Sequence, residues 1–245
     1  MFIRLFVLFF ILLSGSLSLT AQGITDCTTC STTLLKPQDI DTLSVDELRL
    51  LTNEIYARKG YKFSNERYQD YFQGFEWYKP LADNSQVKLS TAEEKNVKLL
   101  QDRRKAREEE RQVILSYFKG LKLLAVNGNN AELKIIFASS PYAEEASIDY
   151  LKAVLVRMDF DDVNWYKNNA LHRVEVDNGY VKMRYSFSIS SGGIALEYNY
   201  MAHSDLMEDF GTMFSGYMSE EEYAVWWVFS YENGKVVFKE IGMAG

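Results

Sequence analysis

"LSVDELRLLTNEIYARKG", Leu43–Gly60, reads as one helix with both of its ends written into it. Ser44 stands where an N-cap hydroxyl is needed, and Glu47, three residues on, can reach back to the Ser44 N–H as a capping box; Leu43 before the cap and Leu48 in the first turn can close a hydrophobic staple. Leu48, Leu51 and Ile55 recur at i, i+3 and i+7 and mark the buried face. Gly60 supplies the left-handed residue that terminates a helix. Glu54 and Arg58 fall four apart on one flank, acid first, an exposed pair of the kind that contributes ~0.3–0.5 kcal/mol. Tyr56 sits at the opposite edge of the apolar stripe. Lys59 lies near its centre line, so its methylenes can cover the core while the ammonium faces the negative end of the helix dipole. "NEIYARKG" therefore reads first as a helix lock and second as a site, with Glu54, Tyr56, Arg58 and Lys59 as candidate binding residues.

Downstream, "SNERYQDYFQG", 64–74, predicts a short helix capped by Ser64, with Tyr68, Tyr71 and Phe72 on one side and Gly74 as its stop. "FEWYKP", 75–80, is expected to be extended, because Pro80 disfavours helix at Lys79. Trp77 and Tyr78 are expected to cover the helix pair. Their competing use is a sugar-stacking or cation-binding platform, which makes both candidate binding residues. "LSTAEEKNVKLL", 89–100, opens another helix through Ser90 and Glu93, a second capping box.

These runs carry a resemblance. "LRLLTNEIYARKG", "YQDYF", "WYKP" and "LSTAEEKNVKLL", in this order and spacing, are similar to the YARHG domain, a small bacterial domain named after its most characteristic run; the similarity covers residues 39–103. Lys59 stands where the family name has histidine, so no role for an imidazole carries over. The resemblance implies a secreted or envelope accessory module, found elsewhere fused to peptidases and kinases, and it brings no catalytic residues.

The chain opens "MFIRLFVLFFILLSGSLSLTAQG", one cation followed by nine apolar residues and then small and polar ones. That is the order of a secretory signal peptide, residues 1–21, with cleavage expected near Ala21–Gln22; nine apolar residues are too few for a bilayer core that takes about 20. No later run reaches spanning length, so no transmembrane segment is expected in the mature chain. Its 26 Lys and Arg face 34 Asp and Glu, near −8, which argues against nucleic acid as a partner. The only two cysteines, Cys27 and Cys30, form "CTTC" in a Thr/Ser-rich lead-in segment, 22–38. In an oxidising compartment they are expected to form a local disulfide of small stabilising effect, and the segment lacks the strand–helix setting of a redox CxxC.

"QDRRKAREEERQ", 101–112, has one apolar side chain, Ala106, and predicts a solvated helix; 104–126 is read as a connecting helix that re-enters a core at "VILSYFKGLKLLAV". Residues 127–245 begin helical and end in strands. Ile148, Leu151, Val154, Leu155 and Met158 share a helix face, whereas Val181, Met183, Tyr185, Phe187 and Ile189 alternate with polar residues. Asn178-Gly179 and Asn233-Gly234 mark hairpins. The fold class is α+β: a small helical N-terminal domain at 39–103, a long connecting helix, and C-terminal helices packed on a curved antiparallel sheet. The order of the last part and its closing "SYENGKVVFKEIGMAG" resemble NTF2-like cone folds, whose sheet holds a pocket.

Chemistry is sparse. His172 alternates with Val174 and Val176, as a satisfied interior or edge imidazole would, and His203 precedes a candidate N-cap, Ser204. Asp159, Asp161 and Asp162 lack the glycine and terminal glutamate of a calcium loop, and no nucleophile elbow, phosphate loop or HExxH is present. No catalytic residue, metal or cofactor is assigned. The expected function is a secreted or periplasmic, non-enzymatic binding protein of the bacterial cell envelope, taking an envelope protein or a cell-wall glycan. The alternative is a hydrolase or small-molecule enzyme with its pocket on the concave face of the C-terminal sheet.

Overall fold

In a computed structural model, described for residues 24–140, 145–201, 204–206 and 222–245, the chain is α+β. The signal-peptide reading, His203 and the 1–23 segment lie outside the described residues. Helix α1 is Pro37–Ile40, α2 Val45–Arg58, α3 Glu66–Gln73, α4 Thr91–Val126, α5 Asn130–Phe137 and α6 Glu145–Arg157. Six strands follow: β1 Asn164–Tyr166, β2 Asn169–Asp177, β3 Lys182–Ser190, β4 Gly193–Tyr200, β5 Tyr223–Glu232 and β6 Lys235–Ala244. They form one antiparallel sheet in the order β1-β2-β3-β4-β5-β6.

Both capping boxes form, at Ser44/Glu47 and at Ser90/Glu93. Gly60 is left-handed at φ +80°; its N–H reaches the Ala57 carbonyl at 2.9 Å while Tyr61 N–H reaches the Tyr56 carbonyl at 3.0 Å, a Schellman closure. Two local expectations need correction. The short helix is capped by Asn65 rather than Ser64, the Asn65 carboxamide oxygen accepting from Arg67 N–H at 3.0 Å. Phe75–Trp77 is a turn closed by Tyr78 N–H on the Phe75 carbonyl at 3.1 Å, and only Tyr78–Pro80 leaves it. Proline restricts the residue before it, not those three positions upstream.

The N-terminal core gathers Leu48, Leu51 and Ile55 of α2, Val97 and Leu100 of α4, Ile40, and both cysteines at 1% exposure. Cys27 and Cys30 are bonded to each other. The segment around them is no loose leader. Asn96, 1% exposed on α4, donates to the Cys30 and Thr33 carbonyls (2.9 and 2.8 Å) and accepts from Leu35 N–H (2.8 Å).

Helix α4 is continuous from Thr91 to Val126, so the connector begins inside the first core and ends in the second. Its middle is solvated on one side only. Arg103 and Arg107 donate to the Asp41 carbonyl, and Arg111 donates to the Lys167 carbonyl while lying over the Trp165 ring. The β1–β2 turn completes the bridge: Lys167 pairs with Glu47 at 3.1 Å and Asn168 donates to the Thr42 carbonyl at 2.8 Å.

The second core packs Ile114, Phe118 and Leu121 of α4, Leu133 and Phe137 of α5, and the predicted face of α6 against one side of the sheet. On that side Tyr185, Phe187, Leu196, Val225, Trp227 and Phe229 alternate with residues on the other. The Asn233-Gly234 turn has both residues at positive φ, as a two-residue hairpin demands. Asn178-Gly179 instead belongs to a four-residue loop, whose Asn178 carboxamide oxygen accepts from Tyr180 and Val181 N–H.

Candidate functional site

The octet of α2 divides between structure and surface. Glu54 is buried, and one carboxylate oxygen accepts from Cys27 N–H (3.1 Å), Arg58 Nε (2.8 Å) and Arg58 Nη2 (2.6 Å). Arg58 then lies over the Trp77 ring, 4.4 Å from its centroid. The pair is therefore not the exposed one that spacing implied. Arg58 is three-quarters covered, and it balances a carboxylate that also fastens the cysteine turn. Lys59 is the C-cap of α2 and pairs with Glu93 at 3.0 Å, so it answers the start of α4 rather than only its own dipole. Tyr56 packs edge-on to Tyr61, and with Asn53 and Phe63 the two rings line a cavity of about 350 Å³.

The 75–78 segment also divides. Tyr78 is core: 4% exposed beside Ala57 and Phe72, its hydroxyl donating to the Tyr61 carbonyl at 2.8 Å. Burial raises that phenol. Trp77 stays partly open and joins a strip. Tyr71, Phe75 and Trp77 expose 47, 39 and 36% of their surface, with centroids 5.4 Å apart for Tyr71–Phe75 and 5.3 Å for Phe75–Trp77. Periodicity placed Tyr71 on the buried side of α3, but only Phe72 is fully buried there. A two-turn helix has room for one such anchor over Ala57.

Beside the strip runs a groove. One part, about 220 Å³, is lined by Asp46, Arg67 and Tyr68; the next, about 480 Å³, by Ile24, Glu54 and Lys167. Glu47, Leu50 and Tyr71 belong to both, which makes them one depression. Glu47, Leu50 and Glu54 recur along one flank of α2, a spacing that could have identified this face. Lys167 could not be found that way, since it arrives from the β1–β2 turn. Burial alone pushes the Glu47 carboxyl up, but the Ser44 N–H and hydroxyl and the Lys167 ammonium outweigh it and hold the group below its usual range. The groove thus has an apolar floor at Leu50 and walls that stay charged.

Glu93 behaves alike. Burial pushes it up, while the Ser90 N–H, Lys59 and the Ser90 hydroxyl bring it net below the ordinary 4.5. A depressed carboxyl contributes stability that is complete above that value and is lost as pH falls through the folded-state value. Urea unfolding at pH 7 and pH 3.5 is expected to cost the parent more than Glu93→Gln, which has no such proton to take up. Equal losses in the two proteins would rule out this role for Glu93.

The C-terminal candidates are structural. His172 Nδ1 donates to the Asp162 carbonyl (2.8 Å) and Nε2 accepts from Asp159 N–H (3.3 Å), so both ring nitrogens hold one loop. In that loop the Asp159 carboxylate accepts from Asp161 N–H, and Asp161 pairs with Lys119. Ser204 donates to Asp177. Among the described residues no His, Cys, Asp and Glu group is arranged to hold a metal ion.

Comparison with known proteins bears on the first half of the chain. Residues 26–104 match the YARHG domain, and the region beyond has no assignment. The match begins thirteen residues before the start that the motifs gave and takes in both cysteines, in keeping with their place in the first core. No curated protein and no solved structure matches the chain.

Proposed function

We propose that the protein is an exported, non-enzymatic binding or accessory protein of the bacterial envelope, and that the Tyr71–Phe75–Trp77 strip with its neighbouring groove is the face that holds the partner. The observation carrying this reading is the contiguity of three half-exposed rings with a depression floored by Leu50. Large aromatics left open beside a cavity cost solubility and are typical of contact surfaces. Export is supported by the apolar leader at 1–21 and by a cystine, which persists in oxidising compartments. The rival enzyme reading wants an NTF2-like pocket on the sheet. Against it stands the helix-facing side of the sheet, where Phe187, Leu196, Trp227 and Phe229 are fully buried.

The test uses immobilised mature chain against solubilised envelope protein in one arm and purified cell-wall sacculi in the other. Parent protein is expected to retain a ligand in one arm, and Phe75→Ala/Trp77→Ala to weaken retention at least about tenfold, the size of a lost aromatic anchor. Retention unchanged in the double variant, with its melting preserved, would remove this face from the function.

A further inference from the structure

Strand β6 is a sheet edge ten residues long. Its inner neighbour is β5, and among the described residues no backbone hydrogen bond reaches its outer side. Such an edge is a template for another strand unless something blunts it. A bulge is one blunting device, and β6 has one. Phe229 pairs with Phe238 and Val228 with Glu240, leaving Lys239 as the extra residue.

We propose that β6 pairs edge to edge with β6 of a second copy of this chain, antiparallel about a two-fold axis lying between Lys239 and Glu240. The bulge selects this register. It puts Phe238 and Ile241 on one face although they are three apart: each pairs with a core ring, Phe229 and Trp227, on β5. Val236 and Met243 share that face, opposite Tyr231 and Val225, while Val237 and Gly242 lie on the other, opposite Ser230 and Trp226. Antiparallel partners must share a face. The register that opposes Lys239 to Glu240 also opposes Phe238 to Ile241, Val236 to Met243 and Val237 to Gly242, and every one of these pairs obeys that condition. Shifting by one residue breaks it on both sides of the bulge.

Charge agrees with the register, since Lys239 meets Glu240 twice, once in each direction. Within one copy Lys239 already pairs with Glu232 at 2.6 Å, and Glu240 is exposed. Apolar surface follows the edge as well. Met243 is 51% exposed, and α5, which lies against β6 through Phe137 on Phe238, leaves Ile135 75% exposed. An isologous contact of this kind closes on itself and forms a dimer rather than a fibre.

Sedimentation velocity on the mature chain, from about 1 to 200 μM, a range set by the affinities of modest interfaces, is expected to show monomer passing to dimer. Lys239→Glu and Glu240→Lys each put like charges across the dyad and should weaken association at least about tenfold. The double variant restores both pairs and should recover it. Loss of the Glu232 contact is common to Lys239→Glu and the double variant, so the recovery isolates the contact between copies. Hydrogen exchange should slow at 235–244 as the dimer forms. A monomer throughout the range, single variants that associate like the parent, or a dimer with unprotected β6 amides would each overturn the proposal.

Discussion

Asn96→Ala is expected to destabilise the first core by roughly 3–5 kcal/mol, a large share of the stability of any small domain. The side chain is 1% exposed and fully used: its amide donates to two carbonyls of the cysteine segment, and its oxygen accepts from Leu35 N–H. Truncation strands three backbone groups, each costing about 1–3 kcal/mol where water cannot reach it, less whatever the segment regains by loosening. Asn96→Asp is the sharper probe. It keeps the shape and the Leu35 contact but points a carboxylate oxygen at the Cys30 or Thr33 carbonyl, so it should match alanine at pH 7 rather than rescue it. Urea unfolding and hydrogen exchange at Leu35 measure both. A loss under about 1 kcal/mol for Asn96→Ala would mean that the segment holds through its disulfide and apolar contacts alone.

Asn96 also marks the limit of what the sequence discloses. The capping boxes were legible because Ser44 and Glu47, or Ser90 and Glu93, answer each other across three residues, and backbone geometry leaves them little choice. The faces of α6 and of strand β3 were legible because a period of 3.6 or 2 assigns burial without naming the partner. Asn96 sits one turn into a helix whose start was readable, yet its partners lie 61 to 66 residues back, and nothing local separates it from a solvent-facing asparagine. Lys59 is similar. Its position on the helix wheel was readable, but Glu93 as its partner was not. Helix α5 was covered only by the general reading that 127–245 begins helical, because no side-chain cap marks its start, and the three-residue β1 was missed because it is shorter than a period needs to declare itself. The binding face lay between these cases. Trp77 was readable as an aromatic with two possible uses, whereas Tyr71 was assigned inward by a pattern that could not tell how much surface two turns of α3 would cover.

The second large effect is expected at Gly60, where conformation and packing act together. At φ +80° any residue with a Cβ is strained by about 1 kcal/mol. An alanine Cβ would also stand 2.8 Å from the Lys79 carbonyl oxygen and 2.8 Å from Leu81 Cγ. The leucine can turn away, but the carbonyl belongs to a backbone that Leu81 N–H ties to the Gly60 carbonyl at 2.8 Å. Gly60→Ala should therefore cost roughly 2–4 kcal/mol, strain and overpacking combined. Gly60→Asn separates the two, since asparagine tolerates the left-handed region but carries the same Cβ. If strain alone mattered, asparagine would regain most of the loss; the Lys79 contact predicts that it regains little. The order along the octet is then Gly60 first, with Lys59→Ala and Arg58→Ala each at about 1–3 kcal/mol, because each leaves a nearly buried glutamate short of a partner. Relief at Gly60 must come by moving Lys79–Leu81, and Trp77 stands two residues upstream. A substitution beneath the surface should for that reason weaken both stability and the aromatic strip, whereas Trp77→Ala should weaken chiefly the latter and cost stability only the cover it gives Arg58 and Phe72. Thermal melts of the Gly60, Lys59, Arg58 and Trp77 variants decide it, and an asparagine variant as stable as the parent would remove the Lys79 contact from the account.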